Sequence, residues 1–247
     1  MKKTIFILFS IILLGSCTYI MDLKRSGDEK IVEYSWNGAT SIEILAPCRL
    51  ILVNNETQFI KIEGMDYIVD GYELLQTDDE LVIDHKEINW LQEDKIANIT
   101  LGAPTFRSVI FNSPGKITTL DTLKIGHFQL VINGKGIYTT SDMRLKGGSL
   151  SLSVYGGINK SSHHLSGEVK SVQYTMEGGT DINALKLKTE VATIVQKSYG
   201  NIFLYVRNKL IGKIYSTGNI YYTGEPQMEV EIIENAVMQA SGKVIPY

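Results

Sequence analysis

From residue 97 onward the hydrophobic positions never settle into a 3.6-residue rhythm over a helix length. Short runs rich in Ile, Val, Thr and Tyr alternate instead with Gly, Ser and Asn, the pattern of strands separated by turns. A glycine-bearing turn followed by a β-branched residue then recurs, at Pro114-Gly115-Lys116-Ile117, Gly134-Lys135-Gly136-Ile137, Gly156-Gly157-Ile158, Gly178-Gly179-Thr180-Asp181-Ile182, Gly200-Asn201-Ile202, Gly218-Asn219-Ile220 and Gly242-Lys243-Val244. The intervals between the final residues are 20, 21, 24, 20, 18 and 24. That spacing is too long for a plain hairpin and fits one coil of a β-solenoid, in which each coil lays its strands in register on the coil before it. Ile117, Ile137, Ile158, Ile182, Ile202 and Ile220 are therefore expected to stack in the interior at the strand spacing of about 4.8 Å, with glycine permitting a positive φ at the corner.

The same repeat brings Asn201 and Asn219 together, with Asp181 as a continuation. Either a side-chain ladder along the stacked turns or simple turn propensity accounts for them. Residues 39 to 96 also alternate, in Ile42 and Ile44, Ile60 and Ile62, and Leu81 with Ile83, around a polar turn at Thr77-Asp78-Asp79. Their spacing is less regular, so they are either the first coils of the solenoid or a sheet that caps its open end. No linker rich in Pro, Gly or Ser divides them from the rest, and residues 37–247 read as one domain.

The amino terminus carries different information. Lys2 and Lys3, the apolar run Ile5 to Leu14 and the small residues Gly15 and Ser16 make an export signal over residues 1–16. Leu14-Gly15-Ser16-Cys17 resembles the lipobox of bacterial lipoproteins, which implies that Cys17 takes a diacylglycerol thioether and becomes the mature N-terminus. Residues 17–36 then form the lipidated end and a polar tether. Two or three acyl chains, at about 0.8 kcal/mol per buried methylene, hold a protein at a membrane. After Cys17 only Cys48 remains; one thiol makes no internal disulfide, and its place before the apolar run Leu50 to Val53 predicts a buried structural group.

The composition, 44% hydrophobic and 21% charged with mean hydropathy +0.01, is that of an ordinary globular chain. Charge is unevenly placed: residues 18–96 carry 17 acids and 7 bases, residues 97–223 carry 6 acids and 14 bases, and residues 224–247 carry 4 acids and 1 base. The basic middle either steers an anionic partner such as an acidic glycan or simply balances the acidic ends. Nucleic acid is not an expected partner in an envelope compartment.

Catalytic chemistry finds little support. None of His85, His127, His163 and His164 has metal-ligand spacing, and neither a His-Glu-x-x-His motif nor a Gly-x-Ser-x-Gly elbow occurs. His163-His164, between Ser161-Ser162 and Ser166-Gly167, reads as a solvated loop, and Asp84-His85 as a surface pair at a strand end. Polysaccharide lyases and hydrolases on β-helices need convergent acids. Of the six acids between residues 97 and 223, only Glu177 and Asp181 are close in sequence. No catalytic residue, cofactor or metal is expected.

Aromatic residues gather late, at Tyr199, Phe203, Tyr205, Tyr215, Tyr221 and Tyr222. Phe203 and Tyr221 directly follow core isoleucines, so they point outward, where rings stack on sugars or on a protein partner. Tyr199, Phe203, Tyr205, Tyr221 and Tyr222 form the candidate binding face, although aromatics also stabilise one another across strands.

The glycine turns, Asp79-Glu80-Leu81-Val82-Ile83 before them, and Gly218-Asn219-Ile220-Tyr221-Tyr222-Thr223-Gly224-Glu225-Pro226 resemble the DUF2807 family, also called putative auto-transporter adhesin, head GIN domain, common in envelope proteins of Bacteroidetes. The likeness covers roughly residues 37 to 245. Where family members show Gly-Ser-Gly, this chain has Gly-Lys-Gly at 134 to 136, Gly-Gly at 156 and 178, and Tyr199-Gly200. The resemblance implies a right-handed parallel β-helix at the cell envelope with an adhesin-like role, and it brings no catalytic residue. The expectation is thus an all-β, lipid-anchored envelope protein, with the outer membrane as its address and a glycan or envelope protein as partner. The alternatives are a polysaccharide-active enzyme and an envelope-assembly or stress factor that docks another protein.

Overall fold

A computed structural model describes residues 27–36, 38–86, 96–234 and 240–247. The export signal, Cys17 and the start of the tether lie outside the described residues. Strands make up 67% of the structure and helix 2%, and the strands wind into a solenoid of about six turns.

The coils are clearest in the second half. Strands β10 (Leu123–Ile132), β11 (Thr140–Val154), β12 (Ser162–Gly178), β13 (Asp181–Ser198) and β14 (Ile202–Ile214) follow β8 (Ser108–Phe111) and β9 (Gly115–Thr119) and are followed by β15 (Ile220–Thr223), β16 (Gln227–Ile232) and β17 (Val244–Pro246). Each coil lies parallel on the one before it. Period-two alternation sends Ile182 and Ala184 inward from β13, with Leu187 inward past an irregularity in the strand, and Ile202, Leu204 and Val206 inward from β14. At one corner the backbone turns through Gly147, Gly167 and Gly224 with φ of 135°, 109° and 98°. A Cβ at Gly167 or Gly224 would stand 2.0 Å from the carbonyl oxygen of Leu145 or Val206, so glycine there serves both the dihedral and the close stacking of coils.

The N-terminal strands join this body out of sequence order. β2 (Ser41–Ile44) lies parallel between β6 (Glu80–His85) and β8, and β3 (Cys48–Asn54) between β7 (Asn98–Ala103) and β9. The chain therefore builds an inner coil first and adds the outer one later. β4 (Phe59–Met65) runs antiparallel on β7, β1 (Glu29–Ser35) antiparallel on β4, and β5 (Tyr72–Gln76) antiparallel on β6. Both readings of residues 39–96 thus hold for different strands: β2, β3 and β6 are coils, while β4 and β5 cover the end; residues 29–36, expected as part of the polar tether, instead join the folded body, with β1 paired on β4 and Trp36 buried. The thiol of Cys48 is fully buried, as expected, and burial pushes its pKa up to about 12. His85 is half-buried instead of a surface group, its ring edge-on to Tyr72 at 4.7 Å and its Nε2 2.9 Å from the carbonyl oxygen of Ile68.

The interior column departs from the expectation at two coils. Ile117, Ile182, Ile202 and Ile220 are fully buried, but Ile137 is partly exposed and Ile158 is 83% exposed. In register, their places are taken by Ser141 and His163: the column runs Ile117, Ser141, His163, Ile182, Ile202, Ile220, Val244. Extra turns are the cause. Gly136 N donates to the Asn133 carbonyl and Thr139 N to the Gly136 carbonyl, while Asn159 N donates to the Gly156 carbonyl. The chain consequently re-enters the sheet only at Thr140 and Ser162, several residues after the glycines. His163 belongs to β12 and lies in the core, not in a solvated loop; its neighbour His164 faces outward and is exposed. Ser141 Oγ and His163 Nδ1 share a hydrogen bond of 2.9 Å, whereas Nε2 is buried without a partner. Burial, reinforced by His164, pushes the His163 pKa down to about 3, so the ring is neutral.

Two residues ahead of that column, a second one reads Thr139, Ser161, Thr180, Gly200, Gly218, Gly242. Ser161 Oγ lies 3.0 Å from Thr180 Oγ1, and Thr180 N donates to Ser198 Oγ at 3.0 Å. Past Thr180 the coils close up, and a Cβ at Gly200 would meet the Thr180 carbonyl oxygen at 2.2 Å. Outside these glycines runs the ladder anticipated from the asparagines, with side chains bonding to backbone and not to each other. Asn201 N donates to Asp181 Oδ1 at 2.8 Å, Asn219 N to Asn201 Oδ1 at 3.0 Å, and Lys243 N to Asn219 Oδ1 at 2.9 Å.

Candidate binding face

Because Ile202, Leu204 and Val206 face inward on β14, and Ile220 on β15, the residues between them are presented outward. Phe203 and Tyr221 are register partners, and their rings stack 4.6 Å apart at 8°. Offset stacking of this kind contributes about 0.5–1.5 kcal/mol beyond burial. The pair is held from two sides. Asn219 Nδ2 donates to Tyr221 Oη at 3.2 Å, and the ring of Tyr247 stands nearly perpendicular to both, 5.5 Å from Phe203 and 6.2 Å from Tyr221. Tyr247 N donates to the Tyr222 carbonyl at 2.8 Å, which anchors the chain end against β15.

The other candidates fall elsewhere. Tyr205 is outward on β14, but its hydroxyl is engaged by Arg207, which also pairs with Glu168 at 2.9 Å; these contacts raise the guanidinium pKa, the Tyr205 bond most. Tyr222 is a register partner of Leu204 and packs against the core, so it faces inward. Tyr199 is 60% exposed on the turn before Gly200, with its ring over Gly179, where a Cβ would come within 2.6 Å of it. The structure therefore brings together Phe203 and Tyr221 and adds Tyr247, which was missed. The signal for it was parity: with Val244 in the column, Ile245 and Tyr247 alternate outward.

The acids weighed for catalysis are engaged in structure. Glu177 Oε2 accepts from Gly156 N at 2.9 Å, with Lys197 at 3.9 Å from its other oxygen, and Asp181 Oδ1 caps the asparagine ladder. Among the described residues no group of three or more His, Cys, Asp or Glu is placed to hold a metal ion, and no helix is long and apolar enough to cross a membrane.

Similar proteins are known from structure. A putative adhesin from Bacteroides fragilis superimposes with TM-score 0.71 at 14% identity, covering 90% of this chain and 98% of its own. A putative adhesin from Parabacteroides distasonis gives 0.62 at 13% identity over 90% and 98%. A third structure, a putative lipid binding protein from Parabacteroides distasonis, gives 0.59 at 14% identity over the same shares. At such identities the likeness establishes the fold. No curated protein matches the chain. The family signature described as putative auto-transporter adhesin, head GIN domain, matches residues 39–226, most of the chain and nearly all of its coils; the chain belongs to the DUF2807 family.

Proposed function

We propose that this protein is a non-catalytic binding module of the bacterial cell envelope, tethered to the membrane through lipid on Cys17, and that the Phe203–Tyr221 face holds a saccharide. The observation that carries the reading is the pair itself: two parallel rings stacked 4.6 Å apart, directed outward by strand parity and braced by Tyr247 and Asn219. The half-exposed rims of this stack, bordered by hydrogen-bonding groups, suit the C–H patch of a pyranose ring. The envelope setting rests on the Leu14-Gly15-Ser16-Cys17 sequence and on the adhesin-like description of the family.

Retention on a glycan array tests the binding claim. Phe203→Ala with Tyr221→Ala is expected to abolish retention while the coils stay folded, at a cost in stability of about 1–2 kcal/mol for the lost stack, and retention equal to the parent would remove the face from consideration. The Cys17→Ala chain should lose acyl labelling and membrane-fraction recovery; continued labelling refutes the anchor.

A further inference from the structure

The aromatic pair ends an outward row that continues down the solenoid through Asn183, His164 and Asp142, one residue per coil. Beside it a second outward row reads Arg144, Ser166, Lys186. Between the rows lies a shallow depression of about 360 Å³ lined by these six residues, with Leu165 beneath. It runs on into a second depression that shares Asp142, Arg144 and Ser166. The concavity has a structural origin. The register of β12 on β13 shifts between His164 and Ser166, and that of β13 on β14 shifts between Ala184 and Lys188. β13 thus has Leu185 to Leu187 unpaired with β14, and the irregularity leaves Leu187 buried and Lys186 exposed at the rim; bulges re-aim side chains in this way.

The chemistry in the depression is selective. Arg144 and Lys186 are exposed and carry no ion pair among the described residues. They stand two strands apart, about 10 Å, on either side of the Ser166 hydroxyl. A guanidinium fork and an ammonium facing one space suit a carboxylate or sulfate. The facing row of Asp142, His164 and Asn183 supplies acceptors and donors of the kind that bind sugar hydroxyls. One outward position per coil gives a polar ladder that advances about 4.8 Å per step, close to the length of one pyranose unit in an extended chain. The coils themselves are the basic part of the molecule, with 14 bases against 6 acids over residues 97–223.

We infer that this depression is a subsite for the anionic group of an acidic saccharide whose next rings run along the solenoid onto Phe203 and Tyr221. The inference rests on the saccharide-binding reading above and adds the charge class and the direction of the bound chain.

Binding of the full chain to oligogalacturonate, its methyl ester, dextran sulfate and dextran tests it. Oligogalacturonate is expected to bind about tenfold tighter than its uncharged methyl ester, as the gain of a charge-assisted contact predicts. Dextran sulfate against dextran shows whether sulfate serves as well as carboxylate. Arg144→Ala with Lys186→Ala should erase the preference, bringing the affinity for oligogalacturonate down to that for its methyl ester. Lys124→Ala with Lys170→Ala, which removes equal charge elsewhere on the coils, should preserve it. Equal binding of charged and neutral chains, or an equal loss in both double variants, overturns the subsite and leaves the aromatic face standing. Absence of binding to all four probes overturns both.

Discussion

Replacing His163 by Leu and Ser141 by Ala together should make the protein resistant to acid. In the folded chain the His163 ring is fully buried with its pKa near 3, whereas the unfolded chain takes the proton at about 6.5. The unfolded state therefore binds more protons throughout the interval between these values, and stability rises with pH there. The contribution is complete above about pH 6.5 and falls by about 1.4 kcal/mol per unit below it, so from pH 7 to pH 4 about 3 kcal/mol disappears. That is a large share of an ordinary domain's net stability of about 5–15 kcal/mol. Ser141 and Ile182, the neighbours of His163 on the flanking strands, carry no charge that offsets it; His164, the nearest titrating group, acts in the same direction. The double variant removes the titration and the unpartnered Nε2 at once without orphaning the serine hydroxyl, and at neutral pH its stability should equal or exceed the parent's. His163→Ala alone leaves a cavity and a half-pair, at a cost of about 3 kcal/mol. Guanidinium unfolding followed by circular dichroism at pH 7 and pH 4 reads both quantities. The carboxylates titrate in parent and variant alike, so the difference between the two pH dependences isolates His163. If parent and double variant lose equal stability between those pH values, the ring is not buried in the neutral form and the account of the column fails.

Gly200→Ala should destabilise by more than about 3 kcal/mol, because its Cβ would sit 2.2 Å from the Thr180 carbonyl oxygen; Gly157→Ala, where nothing lies within 4 Å, should be near neutral in the same melting experiment. Asn219→Ala removes the acceptor of Lys243 N and the donor to Tyr221 Oη. A loss of about 1–2 kcal/mol is expected, and Asn219→Asp, which keeps the acceptor, should lose less. Cys48, buried and with its pKa raised to about 12, should stay unmodified by iodoacetamide in the native protein and react fully in denaturant, as peptide mass analysis would show.

Coil length and the outer parts of the column were legible because they repeat. Ile117, Ile182, Ile202, Ile220 and Val244 each follow a glycine turn by one or a few residues, and all five share one column. Ile137 and Ile158 obey the same local rule and still miss, since where a strand re-enters the sheet depends on how many turns precede it. A better marker was present two residues upstream of the column, where every coil from Thr139 onward has a small hydroxyl or glycine. Thr139-Thr140-Ser141, Ser161-Ser162-His163 and Thr180-Asp181-Ile182 align on it; the isoleucines drew attention away because polar residues are not expected in a core. Tyr222 was misassigned by proximity, since strand parity from Ile220 already sends it inward. The placement of β2 and β3 between later strands leaves no local trace at all, because it is decided by pairings between residues as far apart as Leu50 and Ile117.

The departures from the repeat are concentrated in the same coils. β11 and β12, which begin late after their extended turns, place Ser141 and His163 inside and Asp142 and His164 directly outside them; β13, next to them, carries register shifts against both of its neighbours. A regular coil would have put isoleucine inside and a flat strand face outside, as β14 and β15 do at Ile202 and Ile220. A sequence under selection for stability alone has no reason to bury an imidazole with an unpartnered nitrogen or to interrupt a parallel ladder. Such local conflicts persist where another requirement outweighs them. The outer surface of these coils holds the depression between the Asp142 and Arg144 rows, so the polar core positions set by the extended turns lie one residue from an exterior shaped by the register shifts of β13. Restoring the column with Leu at 163 alters stability while leaving the outward residues of β12 in place.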